Sequence, residues 1–408
     1  MYKKYHLHSG AELVTIHSEN LETVTIMILV KTGTMFEQHH EHGIAHFLEH
    51  MCFKDTLHYK KEKLMLLFEE KGVVTNAFTG HECTGYFGKM LKEKYREVLP
   101  LLAELYYHPQ FPTEDIKIEK NVVIGEINMY KDDPITTAAE LHEEYVYGKG
   151  KPHGTLILGT KESVQSITQE MLFDFHERFY IPVNTTIVVS GNFNQLSIEE
   201  ECNNIFSIIK NGNPSAVPLT QLTVGPQINH IEKESEQSHV IISYHAVSQF
   251  DTQTRVLKLL ATILGQGMTS RLFIRLREKM GAGYYVAANL EQTFDNGIFV
   301  IRTGTEHNRV EEIIAAIKDE CEIIKNNLLT EKELQKVKDI TMSKFVMALE
   351  SSDAIAEYYG IRDILGLPYK SLEIIKEEIE KVTAEDILKC AQKYFVEEGC
   401  IVSILGKK

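Results

Sequence analysis

The 408-residue chain is too long for one ordinary hydrophobic core and suits two domains of about 200 residues each. Its 43% hydrophobic and 25% charged residues are those of a folded globular protein, not of a disordered one. A formal net charge of −15 argues against nucleic acid as a partner, because phosphate binding needs a basic face. No window approaches the roughly 18 apolar residues of a membrane span. The amino terminus, MYKKYHLHSGAELVTI, lacks the apolar run of a signal peptide, so the expected location is the cytoplasm, with no membrane partner. The six cysteines (Cys52, Cys83, Cys202, Cys321, Cys390 and Cys400) show no CxxC spacing and read as reduced thiols.

In chain order, LVTIHSENLETVTIMILVKTG predicts two strands around a polar turn, because β-branched residues dominate both arms. EHGIAHFLEHMCFKD follows with helical spacing of Ile44, Phe47, Leu48 and Met51. HYKKEKLMLLFEEKG predicts a helix ending at Gly72, and VVTNAFTGHECTGYFGKML returns to strand. Two further helices are expected from KEKYREVLPLLAELYYHP and EDIKIEKNVVIGEINMY, the second with Thr113 as N-cap and a break at the DDP of 132–134. Residues 210–227, KNGNPSAVPLTQLTVGPQ, crowd three prolines into a stretch with little periodicity and read as a linker. After it the order restarts: HVIISYHAV as strand, TQTRVLKLLATILG as helix, and GYYVAANLEQTFDNGIFVIRTGT as a hairpin around DNG. The expected organisation is a first domain at 1–212, a linker at 213–228 and a second domain of like order at 229–408, which suggests a duplicated α+β unit.

GIAHFLEHMCFKDT, residues 43–56, concentrates ionisable groups in an apolar helix. His46 and His50 are four apart and share a helix face, so both imidazoles can reach one cation. Glu49 cannot easily join them as a ligand, but it can act on a water beside the ion as general base. The HxxEH order is the HExxH zinc helix reversed. A histidine-rich solvated face is the competing reading, and it is assigned to His39, His40 and His42 just upstream. Embedding among apolar residues weakens it for His46, Glu49 and His50, since an unpartnered buried charge is costly. On the later helix Glu119 and Glu126 lie seven apart on one face, which also includes Val122 and Val123. Glu126 is the expected third ligand and Glu119 a group that orients a ligand.

Here the chain resembles the pitrilysin and insulin-degrading-enzyme family of zinc peptidases, the inverzincins, and within it the short-chain group related to the mitochondrial processing peptidase. AHFLEHMCFK matches that family's zinc helix, and Glu126, preceded by Glu119, matches its downstream glutamate pair. The resemblance implies two homologous α+β domains, each a mainly antiparallel sheet packed with helices, enclosing a cavity between facing domains. It implies one Zn2+ per chain on His46, His50 and Glu126, with Glu49 as base and peptides as substrates. TNAFTGHECT resembles the strand beside the zinc, with Asn76 and Ala77 at the substrate-pairing positions and Phe78 as a pocket wall; His81 reads as a surface histidine. GQGMTSRLFIRLREKMGAGYYV carries a glycine turn without the lysine of a P-loop. By the resemblance its Arg277 and Tyr284, seven apart, contact substrate near the scissile bond, where they would stabilise an oxyanion.

Long members of the family carry four such domains, and this chain carries the signals of two. A homodimer is therefore expected, with Arg277 and Tyr284 serving a neighbouring subunit's zinc; a heterodimer with a related subunit is the alternative. The function expected is a zinc-dependent endopeptidase for short or unfolded peptides. A catalytically silent partner subunit and a metal-binding protein without hydrolysis stay open, although no ligand residue is missing.

Overall fold

A computed structural model describes residues 2–210 and 212–407; Asn211 of the linker stretch and the two chain ends lie outside the described residues. The two β-branched arms near the start form β2 (Glu12–His17) and β3 (Thr23–Val30), preceded by β1 (Tyr2–His6), a strand without β-branched residues that lies outside the two expected. There follow α1 (Ile44–Cys52), α2 (Lys61–Glu70), β4 (Val74–Thr79), β5 (Thr84–Leu91), α3 (Tyr95–Tyr107) and α4 (Thr113–Asp132). α4 begins one residue earlier than capping predicts: Thr113 is its first residue, and the Ile116 amide donates to the Pro112 carbonyl. The expected break at 132–134 occurs. Asp133 caps the next helix, α5 (Pro134–Tyr147), by accepting from the amides of Ile135 and Thr136, and Pro134 takes the first position, where no amide is needed.

The chain continues through α6 (Lys161–Ser166), α7 (Gln169–Phe179), β6 (Thr185–Gly191) and α8 (Ile198–Ile205). Beyond the linker come β7 (Gln227–Glu232), β8 (Ser238–Ala246), α9 (Thr254–Gly265), a π-helical turn at Phe273–Lys279, β9 (Val286–Gln292) and β10 (Gly297–Thr305). The last elements are α10 (Val310–Asn326), α11 (Glu331–Ala348), α12 (Ser352–Ile364), α13 (Leu372–Glu380), α14 (Ala384–Tyr394) and β11 (Ile401–Gly406). β7 takes up the last two residues of the expected linker.

Among the described residues the strands form two sheets, in the orders β1-β2-β6-β3-β5-β4 and β7-β11-β8-β10-β9. Setting β1 aside, both sheets place their strands in the same chain order, first-fifth-second-fourth-third. Both also have a single parallel pair, β2 with β6 and β7 with β11, all other pairings being antiparallel. The duplication suggested by element order is thus a duplication of topology, in a two-domain α+β fold.

The compact units are not the contiguous stretches 1–212 and 229–408. The first consists of Met1–Asn128, Thr155–Pro218 and Ala348–Tyr369, the second of Met129–Gly154, Leu219–Met347 and Lys370–Lys408. Two helices account for the exchange, each drawn from between the fourth and fifth strands of its half. α12 packs on β2, β3 and β6, closing a cluster of Val14, Met27, Leu29, Val188, Ala356 and Ile364. Its Ser352 hydroxyl bonds those of Thr23 and Thr25 at 2.9 and 2.8 Å, and Lys4 donates to Asp363 at 2.7 Å. Gly360 permits the close approach, since a Cβ there would stand 2.7 Å from both Leu29 and Val188 side-chain atoms. In the second unit α5 packs on β8 and β11, where buried His142 bonds the hydroxyls of Ser243 and Ser403, both at 2.8 Å. Apolar burial chooses these partners, and composition cannot register the choice.

Candidate metal centre

α1 lies against the first sheet with Ile44, Phe47, Leu48 and Met51 in the core, the face that their spacing predicts. Its amino end carries no cap from the adjoining residues. Instead the Glu37 carboxylate, its side chain fully buried, accepts from the amides of Gly43 at 2.9 Å and Ala45 at 3.0 Å. Burial pushes the Glu37 carboxyl upward, and these bonds, together with His42 nearby, oppose the shift. Gly43 adopts φ +85, and a Cβ there would come within 2.6 Å of the Leu158 carbonyl oxygen, so only glycine enters the helix this way.

α4 supplies the opposing carboxylates. Glu119, Val123 and Ile127 are buried, while Val122 is exposed, so the expected apolar face holds Val123 but not Val122. Glu126 Oε2 stands 3.8 Å from His46 Nε2 and 3.7 Å from His50 Nε2, and the donor atoms of these three residues lie within 4.8 Å of one another. Ligands of a tetrahedral zinc site are separated by about 3.4 Å, given bonds of about 2.0–2.1 Å, so the set needs only small adjustment to close on an ion. The donor chemistry fits: two imidazoles and a carboxylate suit a borderline divalent cation. Burial, reinforced by the neighbouring His50, depresses the His46 imidazole to about 3, which keeps it neutral and free to coordinate.

Glu119 lies behind His50, away from the three converging donors. His50 Nδ1 donates to Glu119 Oε1 at 2.8 Å, which turns Nε2 toward the centre, and Lys54 Nζ donates to the other oxygen at 2.6 Å. Burial opposes charge on Glu119, but the bonds from His50 and Lys54 outweigh it and hold the carboxyl at about 2. For His50, burial favours the neutral ring, yet the bond to Glu119 and the nearby carboxylates raise its pKa. His46 has no such partner, its Nδ1 being buried without a hydrogen bond.

Glu49 is buried beside the ligands and accepts from Thr79 Oγ1 at 2.6 Å. Burial raises its carboxyl pKa, and the bond from Thr79 partly offsets this. Thr79 belongs to β4, an edge strand paired only with β5. The two-residue period of a strand puts Ala77 with Thr79 on the side of α1, and Asn76 and Phe78 on the other. Phe78 therefore packs over Gly85, in the cluster beneath α12, rather than forming a wall beside the metal ligands. Asn76 is exposed, its side-chain oxygen accepting from the Ala77 amide at 2.9 Å. His81 is half-buried and bonded to Thr34 Oγ1 at 2.6 Å, so it is not a surface histidine, whereas His39 and His40 are exposed as expected. Thr79, Lys54 and Glu37 escaped the reading of the sequence; only Thr79 carried a signal, lying two residues past Ala77 on the same strand face.

In the second unit Arg277 lies on the π-helical turn. Its guanidinium stands over the Phe273 ring and donates to the Tyr284 carbonyl at 3.0 Å. The Tyr284 side chain is free to meet a ligand, with 56% of the residue exposed.

Residues 12–157 match the family description "Insulinase (Peptidase family M16)", and residues 166–341 match "Peptidase M16 inactive domain". A Rickettsia bellii protein named an uncharacterized zinc protease is 30% identical over 95% of this chain and 94% of its own. The chain belongs to peptidase family M16. A second relative, YmxG of Bacillus subtilis, also named an uncharacterized zinc protease, is 29% identical over 99% of this chain and 98% of its own. The M16 fold recurs in a protease from Helicobacter pylori (TM-score 0.90, 24% identity, 100% of this chain and 99% of that one). It recurs again in a Pseudomonas fluorescens M16 inactive domain (TM-score 0.91, 21% identity, 100% and 98%). All three candidate ligands, His46, His50 and Glu126, lie in the stretch matched by the first description. Arg277 and Tyr284 lie in the stretch matched by the second. No helix among the described residues is long and apolar enough to cross a membrane.

Proposed function

We propose that this chain is a zinc-dependent endopeptidase of short or unfolded peptides. The observation that carries the reading is the convergence of His46 Nε2, His50 Nε2 and Glu126 Oε2 beside the buried Glu49 carboxylate. Zinc at that point supplies Lewis acidity, polarising a peptide carbonyl and lowering the pKa of water. Glu49, its proton affinity raised by burial, accepts a proton from that water and returns it to the leaving amine. The Thr79 hydroxyl holds the Glu49 carboxylate in place during the exchange. The free edge of β4 offers backbone groups to an extended peptide, which suits substrates without fixed structure. Arg277 and Tyr284, as donors to the oxyanion, come from a second copy of the chain in a homodimer.

The test is Glu49→Gln. The variant keeps its zinc, measured by elemental analysis, and loses cleavage of a quenched peptide library by about 10²–10⁴-fold. Turnover within tenfold of the parent would refute Glu49 as the base. A parent chain that takes up no zinc when zinc is supplied, and cleaves nothing, would refute the whole reading.

A further inference from the structure

A second set of metal-type donors lies in the first unit, apart from the residues of the site above. Glu104 sits in the last turn of α3 and His108 directly follows that helix, four residues on and so on the same face. His58 projects from the loop between α1 and α2. That loop is tied to the segment after α3 by backbone bonds, from the Leu57 amide to the His108 carbonyl at 2.9 Å and from the Gln110 amide to the Asp55 carbonyl at 3.0 Å. A Thr56–Pro109 bridge adds to them. The Glu104 carboxylate is 8% exposed and accepts from the His58 amide at 3.1 Å, with His58 Nδ1 3.0 Å from its Oε2. The His58 and His108 rings stand edge to face, centroids 5.3 Å apart. One donor atom from each of the three residues falls within 4.8 Å of the other two.

We propose that His58, Glu104 and His108 bind a second divalent transition ion of the zinc class, independently of the centre on α1. The donor set is again two imidazoles and a carboxylate, which selects borderline cations over Ca2+ or Mg2+. An ordinary ion pair accounts for His58 with Glu104, but it does not require His108 to stand at the same point. The ligands come from backbone already pinned on both sides, so binding costs little ordering. A bound ion locks the loop that starts just after α1 and carries Lys54, the donor to Glu119. Its role is that of a clamp rather than a catalyst, and it does not depend on the chain being a peptidase.

Metal counting on the full chain decides the matter. After dialysis against low-micromolar Zn2+, elemental analysis should find two ions in the parent and one in the double variant H58A/H108A. The double variant H46A/H50A should also hold one. Circular dichroism checks that each variant is folded, and both changed histidines of the first pair lie at the end of a helix or in a loop. With the α1 centre disabled, Co2+ should give a visible d–d band that disappears when H58A/H108A is added. One ion in the parent, or a count unchanged by H58A/H108A, overturns the site.

Discussion

At the scale of single residues, the centre divides into groups whose positions follow from spacing and groups whose partners come from elsewhere in the chain. His46 and His50 had to share a face because four residues span just over one helical turn, and Glu119 and Glu126 followed by the same logic over two turns. Lys54 and Thr79 act through tertiary contacts with Glu119 and Glu49, which no local period records. Phe78 shows the opposite failure: strand alternation alone puts it on the face away from Ala77. Glu119 provides the sharpest test at this scale. Glu119→Gln removes the charge that orients His50 Nδ1 and leaves Lys54 without its partner, so zinc affinity should fall about 10–100-fold while the fold persists. Competition with a chelator measures it, and an unchanged affinity would remove Glu119 from the site.

At the scale of elements, α1 owes its position to a carboxylate seven residues before its start. In the sequence Glu37 stands among polar and charged neighbours, EQHHEH, and reads as surface. Folding buries its side chain against two otherwise unpaired amides at the end of the helix that carries both candidate histidine ligands. Glu37→Ala should cost about 2 kcal/mol in urea unfolding of the metal-free chain, the usual worth of a lost cap with its amides left buried. It should also weaken zinc binding, because the amino end of α1 is then free to fray. A loss below a few tenths of a kcal/mol would mean that water replaces the carboxylate. The strands and the amphipathic helices were legible from their periods. The exchange of α5 and α12 was not, because which sheet a helix covers is decided by three-dimensional complementarity, here by Gly360 against Leu29 and Val188.

At the scale of the whole molecule, each unit contains a buried neutral histidine outside the metal centre. Burial lowers His142 to about 3, with Arg302 adding to the shift, and His176 to about 4, where its bond to the Tyr106 carbonyl opposes the shift. Both folded values lie below the unfolded value of 6.5, so the unfolded chain takes up protons first as pH falls. The stability they contribute is full above about pH 6.5 and is lost as pH falls toward 3–4. At pH 5 the loss is about 2 kcal/mol for each histidine, and H142Q should flatten the decline. Urea midpoints that stay level from pH 7 to 5 would contradict this. The proposed homodimer is tested by complementation. Neither E49Q nor R277A cleaves alone, but their mixture should regain a fraction of parental activity if Arg277 acts on a neighbouring subunit's centre. No recovery in a mixture shown to exchange subunits would confine Arg277 to its own chain.

The exchanged helix also sets an order on synthesis. A ribosome that has delivered residues 1–212 has released every strand of the first sheet but not the helix that covers one of its faces. Val14, Met27, Leu29 and Val188 then wait, wet, until Ile364 has left the exit tunnel. The first half translated therefore stays open until most of the second has been made. A nascent chain halted in the linker would present an apolar sheet face to whatever chaperone or aggregate reaches it first.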